Sequence, residues 1–208
     1  MERPWRASCA GLYRTADRRK LPTIASSKKK IDETIDVDRN VLSDRADGRS
    51  AQDATANPVS TTMRQLLDRY SKNLIATAEE MPAGKYGYHP TPEQMTFGKT
   101  IEHIAEVNSF ACSKVSDMPA PQGPKVSDSD PKDKLVTALK SSIDFCAQAF
   151  SRLIDSMLGD PVTLFGGRQS TRLGAVLEVT NDLIDHYAAL AVYLRLNGLL
   201  PPTAQRKP

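Results

Sequence analysis

Residues 59–197 contain four long stretches in which apolar residues recur at helical spacing, separated by segments rich in Gly and Pro. In the first stretch, Met63, Leu67 and Tyr70 stand at positions i, i+4 and i+7, which places their side chains on one face of a helix. No strand-like alternation of consequence accompanies them. Four amphipathic helices bury their apolar faces by packing against one another. The sequence therefore predicts an all-α fold, a four-helix bundle.

Capping and helix-breaking residues predict the bounds of the first two helices. The first covers about residues 59–80, and Pro82 prevents its continuation. For the second, Thr91 is the predicted cap and Pro92 the first helical residue, because proline suits a position whose backbone N–H has no partner within the helix. This helix is expected to end near Ser116.

The last two helices are bounded in the same way. Asp130 is the predicted cap of the third helix, which is expected to continue to about Leu158. A short extended piece is expected around Val162–Phe165. Ser170 is the predicted cap of the fourth helix, about residues 171–197, and Gly198 supplies the left-handed residue that ends it. The interior stripe of this helix is predicted to include Val179, Leu183, Leu190, Val192 and Leu194.

The first 58 residues differ in composition from the rest. They contain basic runs at 18–20 and 28–30 and only isolated apolar residues. The hydrophobic fraction of the chain, 39%, is also lower than the roughly 45–50% of ordinary globular domains. Such a segment buries too little surface to offset the entropy lost on ordering. We therefore predict a disordered extension at 1–58, the bundle at 59–202 and a tail at 203–208.

Charge and cysteine content narrow the classes of function. The net charge is only +3, and no helix concentrates Lys and Arg on one face, so no nucleic-acid partner is expected. No apolar run approaches 18 residues, so no membrane span is expected. Cys9, Cys112 and Cys146 make an odd number without a signal peptide, which favours reduced thiols in a cytoplasmic protein. Cys112 and Cys146 are interpreted as small core residues.

Two of the three histidines fall on helix faces that point inward. His103 lies among apolar residues of the second helix, and His186 lies on the fourth with Asp182 one turn before it. Residues at i and i+4 leave the same face, with Cβ atoms roughly 6 Å apart. Two imidazoles and a carboxylate are a metal-ligand set with open positions. We therefore predict His103, Asp182 and His186 as metal ligands. A metal-free hydrogen bond between Asp182 and His186 is the main alternative.

At these positions the sequence resembles the DinB-like family of small bacterial metal-binding four-helix bundles. The segment YGYHPTPEQMTFGKTIEHIAEVN resembles the family's Pro-containing loop and ligand helix, with His103 in the ligand position. The segment NDLIDHYAALAVYLRLNGLLPP resembles the closing helix, which in the family carries a His-x-x-x-His pair. His186 stands at the second histidine of that pair, and Asp182 stands where the first would be.

The resemblance implies a site that holds zinc, nickel or iron. It also implies, for some members, transfer or isomerisation reactions that use a low-molecular-weight thiol. The expected function is a metal-dependent thiol transferase or hydrolase acting on a small-molecule substrate, in which the metal activates a bound thiol or water. The alternative is a non-catalytic bundle with a degenerate metal site that acts by forming a homodimer or binding a partner.

Overall fold

The computed structural model describes residues 56–122 and 125–205. Within them the chain forms four long helices joined by turns and one small hairpin, which confirms the predicted four-helix bundle. The extension predicted at 1–58 lies almost entirely outside the described residues. The helices are α1 (Pro58–Glu80), α2 (Phe97–Ser116), α3 (Lys132–Ser151) and α4 (Arg172–Leu196).

The hairpin lies between α3 and α4, where an extended piece was predicted. Its strands are β1 (Pro161–Thr163) and β2 (Gln169–Thr171), paired antiparallel with Val162 opposite Ser170. The bundle core contains leucines and isoleucines from every long helix, including Leu74, Ile101, Leu139 and Leu183, all with less than 1% of their surface exposed. Among the described residues, no helix combines the length and apolar character needed to cross a bilayer.

Helix α2 begins later than predicted. Thr96, rather than Thr91, caps it, since the Thr96 side chain accepts a hydrogen bond of 3.0 Å from the Lys99 backbone N–H. The Thr91-Pro92 segment instead forms a turn, in which the backbone N–H of Gln94 donates to the carbonyl of Thr91. A threonine followed by proline is thus also a turn signal, and in this chain Thr96, the later threonine, caps the helix.

Helix α3 ends at Ser151, well before the predicted Leu158. The chain leaves the helix there and forms a 3-10 turn at Asp155–Met157. The Asp155 carboxylate then accepts hydrogen bonds from the backbone N–H groups of Val59 (3.0 Å) and Ser60 (2.7 Å), in the first turn of α1. The residue before α1, Asn57, provides no side-chain cap to that turn. Asp155 therefore caps a helix that lies 95 residues earlier in the chain.

Helices α2 and α3 are joined by a disulfide between Cys112 and Cys146, whose Cα atoms are 5.1 Å apart. Both residues are fully buried, as predicted for core positions. The prediction of reduced thiols is wrong for this pair. Helical periodicity indicates that each cysteine faces the core, but it does not indicate which residue of another helix each one meets. The third cysteine, Cys9, lies outside the described residues.

The cap from Asp155 makes the stability of the bundle pH-dependent. Burial opposes ionisation, but hydrogen bonds from Ser60 and Val59 and the charge of Arg64 together hold the pKa of the Asp155 carboxyl below its ordinary value of 3.8. The ionised Asp155 carboxylate should contribute fully to the free energy of unfolding above pH 3.8, the ordinary pKa of the group. This contribution should be lost as the pH falls through the lowered pKa of the folded state. Asp155→Asn should therefore lower the Tm at neutral pH, by an amount that shrinks in acid.

The measurement is thermal unfolding of both proteins from neutral pH down to acid. Asp68→Asn is the matched control, because the Asp68 carboxylate is exposed and forms its ion pair within the described residues with Lys72, on its own helix. A Tm difference between wild type and Asp155→Asn that stayed constant into strong acid would contradict the assigned role.

Reduction of the disulfide should destabilise the bundle. The bond closes a loop across a sequence separation of 34 residues, and cross-links of that length contribute about 2–4 kcal/mol to the free energy of unfolding. Denaturant unfolding with and without a reductant measures the difference, and peptide mass spectrometry identifies the linked pair. The double variant Cys112→Ala/Cys146→Ala should not respond to reductant. Alkylation of both cysteines in unfolded, unreduced protein would rule the bond out.

Candidate metal centre

Helices α2 and α4 run antiparallel, which brings the two predicted histidines to the same level. At one end, the buried guanidinium of Arg172 donates a hydrogen bond of 2.8 Å to the carbonyl of Val115. At the other end, the Tyr193 hydroxyl donates to the carbonyl of Met95 at 3.0 Å. His103 on α2 and His186 on α4 lie between these two contacts, and their rings meet edge to face with centroids 5.0 Å apart.

The three predicted ligand residues come together in the fold. The Asp182 Oδ1 atom lies 3.3 Å from His186 Nε2 and 3.8 Å from His103 Nε2. One ligand atom from each side chain lies within 4.8 Å of the other two. Bonds of about 2.0–2.2 Å to one tetrahedral ion place neighbouring ligand atoms roughly 3.3–3.6 Å apart. The spacing of the three side chains therefore fits a metal ion with small adjustments.

The hydrogen bonding of Asp182 distinguishes between the two interpretations of the sequence. Its Oδ2 atom is buried and has no hydrogen-bond partner within the described part of the chain. Its Oδ1 atom lies 3.3 Å from His186 Nε2, which is an ion-pair distance when that histidine is protonated. A buried carboxylate oxygen without a hydrogen-bond partner is costly unless a cation compensates for it. This observation favours a bound cation over a metal-free Asp182–His186 hydrogen bond.

The site opens to solvent on the side of α2. His186 exposes 12% of its side chain and Asp182 exposes 20%, whereas His103 exposes 37%. His103 therefore forms the rim of the site, and α4 forms its floor. An ion held by these three groups would keep positions open toward solvent, as catalytic metal sites require and closed structural sites do not.

Three other residues with potential metal-binding side chains, Glu178, Glu106 and His89, lie away from this group. Glu178, one turn before Asp182, forms an ion pair with Arg168. Glu106 pairs with Lys125 at 3.2 Å on the surface. His89 is exposed, and its Nδ1 atom lies 2.7 Å from the Thr91 carbonyl oxygen. None of them belongs to the group of potential ligands found among the described residues.

Sequence reasoning missed the part that the hairpin plays next to the site. Phe165, at the hairpin turn, stacks on Phe110 of α2 with ring centroids 3.9 Å apart. Phe110 lies two turns after His103, on the same face of α2. Arg168, also in the hairpin, pairs with Glu178 of α4. The hairpin therefore contacts the same faces of α2 and α4 that carry the three predicted ligand residues, and no periodic signal in its short strands indicates this.

The fold and the site together define a class, the four-helix bundles in which side chains able to hold a metal ion, here two histidines and an aspartate, lie between the second and last helices. The sequence model of the DinB superfamily matches residues 66–190 of this chain. The chain belongs to the DinB superfamily. The matched segment includes His103, Asp182 and His186.

Three solved structures share the fold. A DinB-like protein from Bacillus subtilis aligns with a TM-score of 0.53 and 19% identity, covering 69% of this chain and 99% of that one. A conserved protein from Enterococcus faecalis gives 0.50 and 16%, covering 65% and 94%. A mycothiol-dependent maleylpyruvate isomerase gives 0.53 and 14%, covering 63% of this chain and only 60% of the isomerase. No curated protein sequence matches this one.

Replacing the Asp182 carboxylate by an amide should lower the affinity for metal without lowering the stability of the metal-free protein. In metal-free protein, Asp182→Asn removes a poorly solvated charge, so we expect no loss of stability, or a gain of up to about 1 kcal/mol. Added zinc should raise the Tm of the wild type much more than the Tm of the variant. The reason is that the substitution should lower the affinity for zinc by about tenfold or more.

Thermal unfolding in chelator and in zinc measures both effects. Asp144→Asn, on the exposed side of α3, is the matched control and should behave as the wild type does. An undiminished zinc response in Asp182→Asn would remove Asp182 from the ligand set.

Proposed function

We propose that the protein is a metal-dependent enzyme that activates a low-molecular-weight thiol, or water, for attack on a small electrophilic substrate. The activity would be that of a transferase or a hydrolase. The observation that carries this proposal is the convergence of His103, Asp182 and His186, with the second carboxylate oxygen buried and without a hydrogen-bond partner among the described residues.

Each of the three residues has a distinct part in the proposed site. His186 and Asp182 project from the same side of α4 and hold the less exposed part of the site. His103 reaches across from α2 and leaves an approach from solvent. The bound metal, zinc, nickel or iron(II), would supply Lewis-acid activation that lowers the pKa of a thiol or water. Because Asp182 is negatively charged, the metal would lower the pKa of the bound thiol or water less than it would with three neutral histidines as ligands.

The thiol part of the proposal is supported by one of the structural relatives. The maleylpyruvate isomerase with this fold depends on mycothiol, a low-molecular-weight thiol. At 14% identity the likeness extends to the fold alone, so the use of a thiol by this chain rests on the proposal. The surface beside the site has aromatic rings at Phe110 and Phe165 and a cationic Lys114 over the Phe110 ring at 5.3 Å. This surface suits a small substrate with an apolar part and an anionic group.

The second candidate function is a bundle that acts only by binding. It is favoured by the departure at Asp182, where the resemblance leads one to expect a histidine. The absence of a nucleic-acid partner and a cytoplasmic location stay predictions. The argument for the cytoplasm relied on reduced thiols, and the Cys112–Cys146 disulfide removes that support.

Metal analysis followed by thiol titration should separate the two candidates. We expect purified protein to bind close to one equivalent of a divalent transition metal. Cobalt(II)-loaded protein should show a new thiolate-to-cobalt charge-transfer band in the near ultraviolet when a low-molecular-weight thiol is added, because an open position accepts the sulfur.

His103→Ala should lose both the metal and the band, whereas His89→Ala should keep both, since His89 lies in an exposed loop. Less than about a tenth of an equivalent of metal, with no thermal shift on adding zinc, nickel or iron(II), would exclude the metal-dependent function. A bound metal without any thiol band would leave water as the activated group.

A further inference from the structure

The outer face of α4 carries a row of exposed apolar side chains. Ile184, Val192 and Leu196 expose 37%, 49% and 58% of their surface, and Ala188 between them is also exposed. Val192 was predicted to lie in the interior stripe, and the structure places it on the opposite side. The helix is therefore apolar on both faces. A helix with this character is normally covered on both sides, because water would otherwise contact a continuous apolar surface.

The spacing of this row suits contact with another helix. Its four members follow one another at intervals of four residues, which forms a continuous ridge along an α-helix. Ridges of this kind pack into the corresponding grooves of a second helix at a crossing angle of about −50°. Ala188, near the middle, is small enough to let two helix backbones approach closely.

We propose that this row is the contact surface between two copies of the chain, with α4 packed antiparallel against α4 of the second copy. The proposal does not depend on the metal site or on the proposed activity. A twofold interface must be complementary to itself, since each copy presents the same surface. The charges next to the row satisfy this requirement.

Antiparallel pairing about the point midway between Ala188 and Val192 brings opposite charges to the same level. Ile184 then lies level with Leu196 of the other copy, and Asp185 lies level with Arg195 of the other copy, twice by symmetry. Asp185 makes no ion pair in the part of the chain that the structure describes. Arg195 donates a hydrogen bond to the Ala191 carbonyl at 3.2 Å, within its own helix. Both side chains are exposed, and the long arginine can reorient toward a carboxylate.

The size of the row sets the expected strength of the dimer. From Ile184 to Leu196 the ridge is about 18 Å long, at 1.5 Å per residue. One pair of helix faces buries less than the roughly 800 Å² per partner of a standard stable interface. The expected assembly is therefore a reversible dimer that dissociates in the micromolar range.

The dimer would leave the metal site accessible. His186 stands two residues from both Ile184 and Ala188, and two helical steps of 100° place it on the other side of α4. The second copy would therefore cover the outer face of α4 while the opening beside His103 remains in contact with solvent. Dimerisation and metal binding can be measured independently.

Sedimentation of the full-length protein across the micromolar range tests the proposal. The wild type should show a concentration-dependent monomer–dimer equilibrium. Ala188→Glu should be monomeric, because it places a charge at the centre of the apolar contact. Ala147→Glu, an exposed alanine on α3, should dimerise as the wild type does.

The charge pair provides a second test that does not rely on disrupting the ridge. Asp185→Arg and Arg195→Asp should each weaken the dimer, by about tenfold as an order of magnitude, because each places like charges at the same level. The double variant should recover most of the lost affinity. If each substitution weakened the dimer only by perturbing the fold, the two losses of affinity would add in the double variant instead of cancelling.

A full-length wild type that stays monomeric overturns the proposal. That result would assign the row to another segment of this chain or to a different protein. A dimer that survives Ala188→Glu also overturns it, because the contact would then use another surface. Additive rather than compensating charge variants overturn the antiparallel arrangement.

Discussion

The apposition of α2 and α4 is the constraint on which the site depends, and the buried guanidinium of Arg172 is central to it. Arg172 is the first residue of α4 and donates to the Val115 carbonyl and to the Asp117 carboxylate, both at 2.8 Å, where α2 ends. This contact satisfies backbone oxygens that the end of a helix leaves without partners. It also fixes the axial alignment of the two helices, so that His103 meets Asp182 and His186, about three to four turns into α4.

A carboxylate in that site combines two opposing effects. The negative charge of Asp182 would attract a cation, and its buried Oδ2 atom, which has no hydrogen-bond partner among the described residues, would destabilise the metal-free protein. A site of this kind would gain affinity for a cation at the expense of the stability of the metal-free protein, as functional sites often do. The carboxylate also distinguishes this chain from the three-histidine set that its resemblance implies, while the position of the site is kept.

Helical periodicity was sufficient to predict the four helices and to place three distant residues in one site. The three side chains come together because they lie on the facing sides of α2 and α4, and the bundle packs these two helices against each other. The failures concern contacts between distant parts of the chain. Asp155, beyond the end of α3, caps α1, and the disulfide pairs two core positions. The outward side of Val192 depends on how α4 turns within the bundle. No local pattern carries that information.

The cap on α1 has a consequence for the order in which the bundle assembles during synthesis. The first turn of α1 leaves the ribosome early, but the carboxylate that satisfies its backbone N–H groups belongs to Asp155. Helix α1 can therefore form from its middle and its C-terminal end first, with its N-terminal turn held only after α3 has been made and has folded back. The earliest-synthesised turn of the bundle is thus among the last to be fixed.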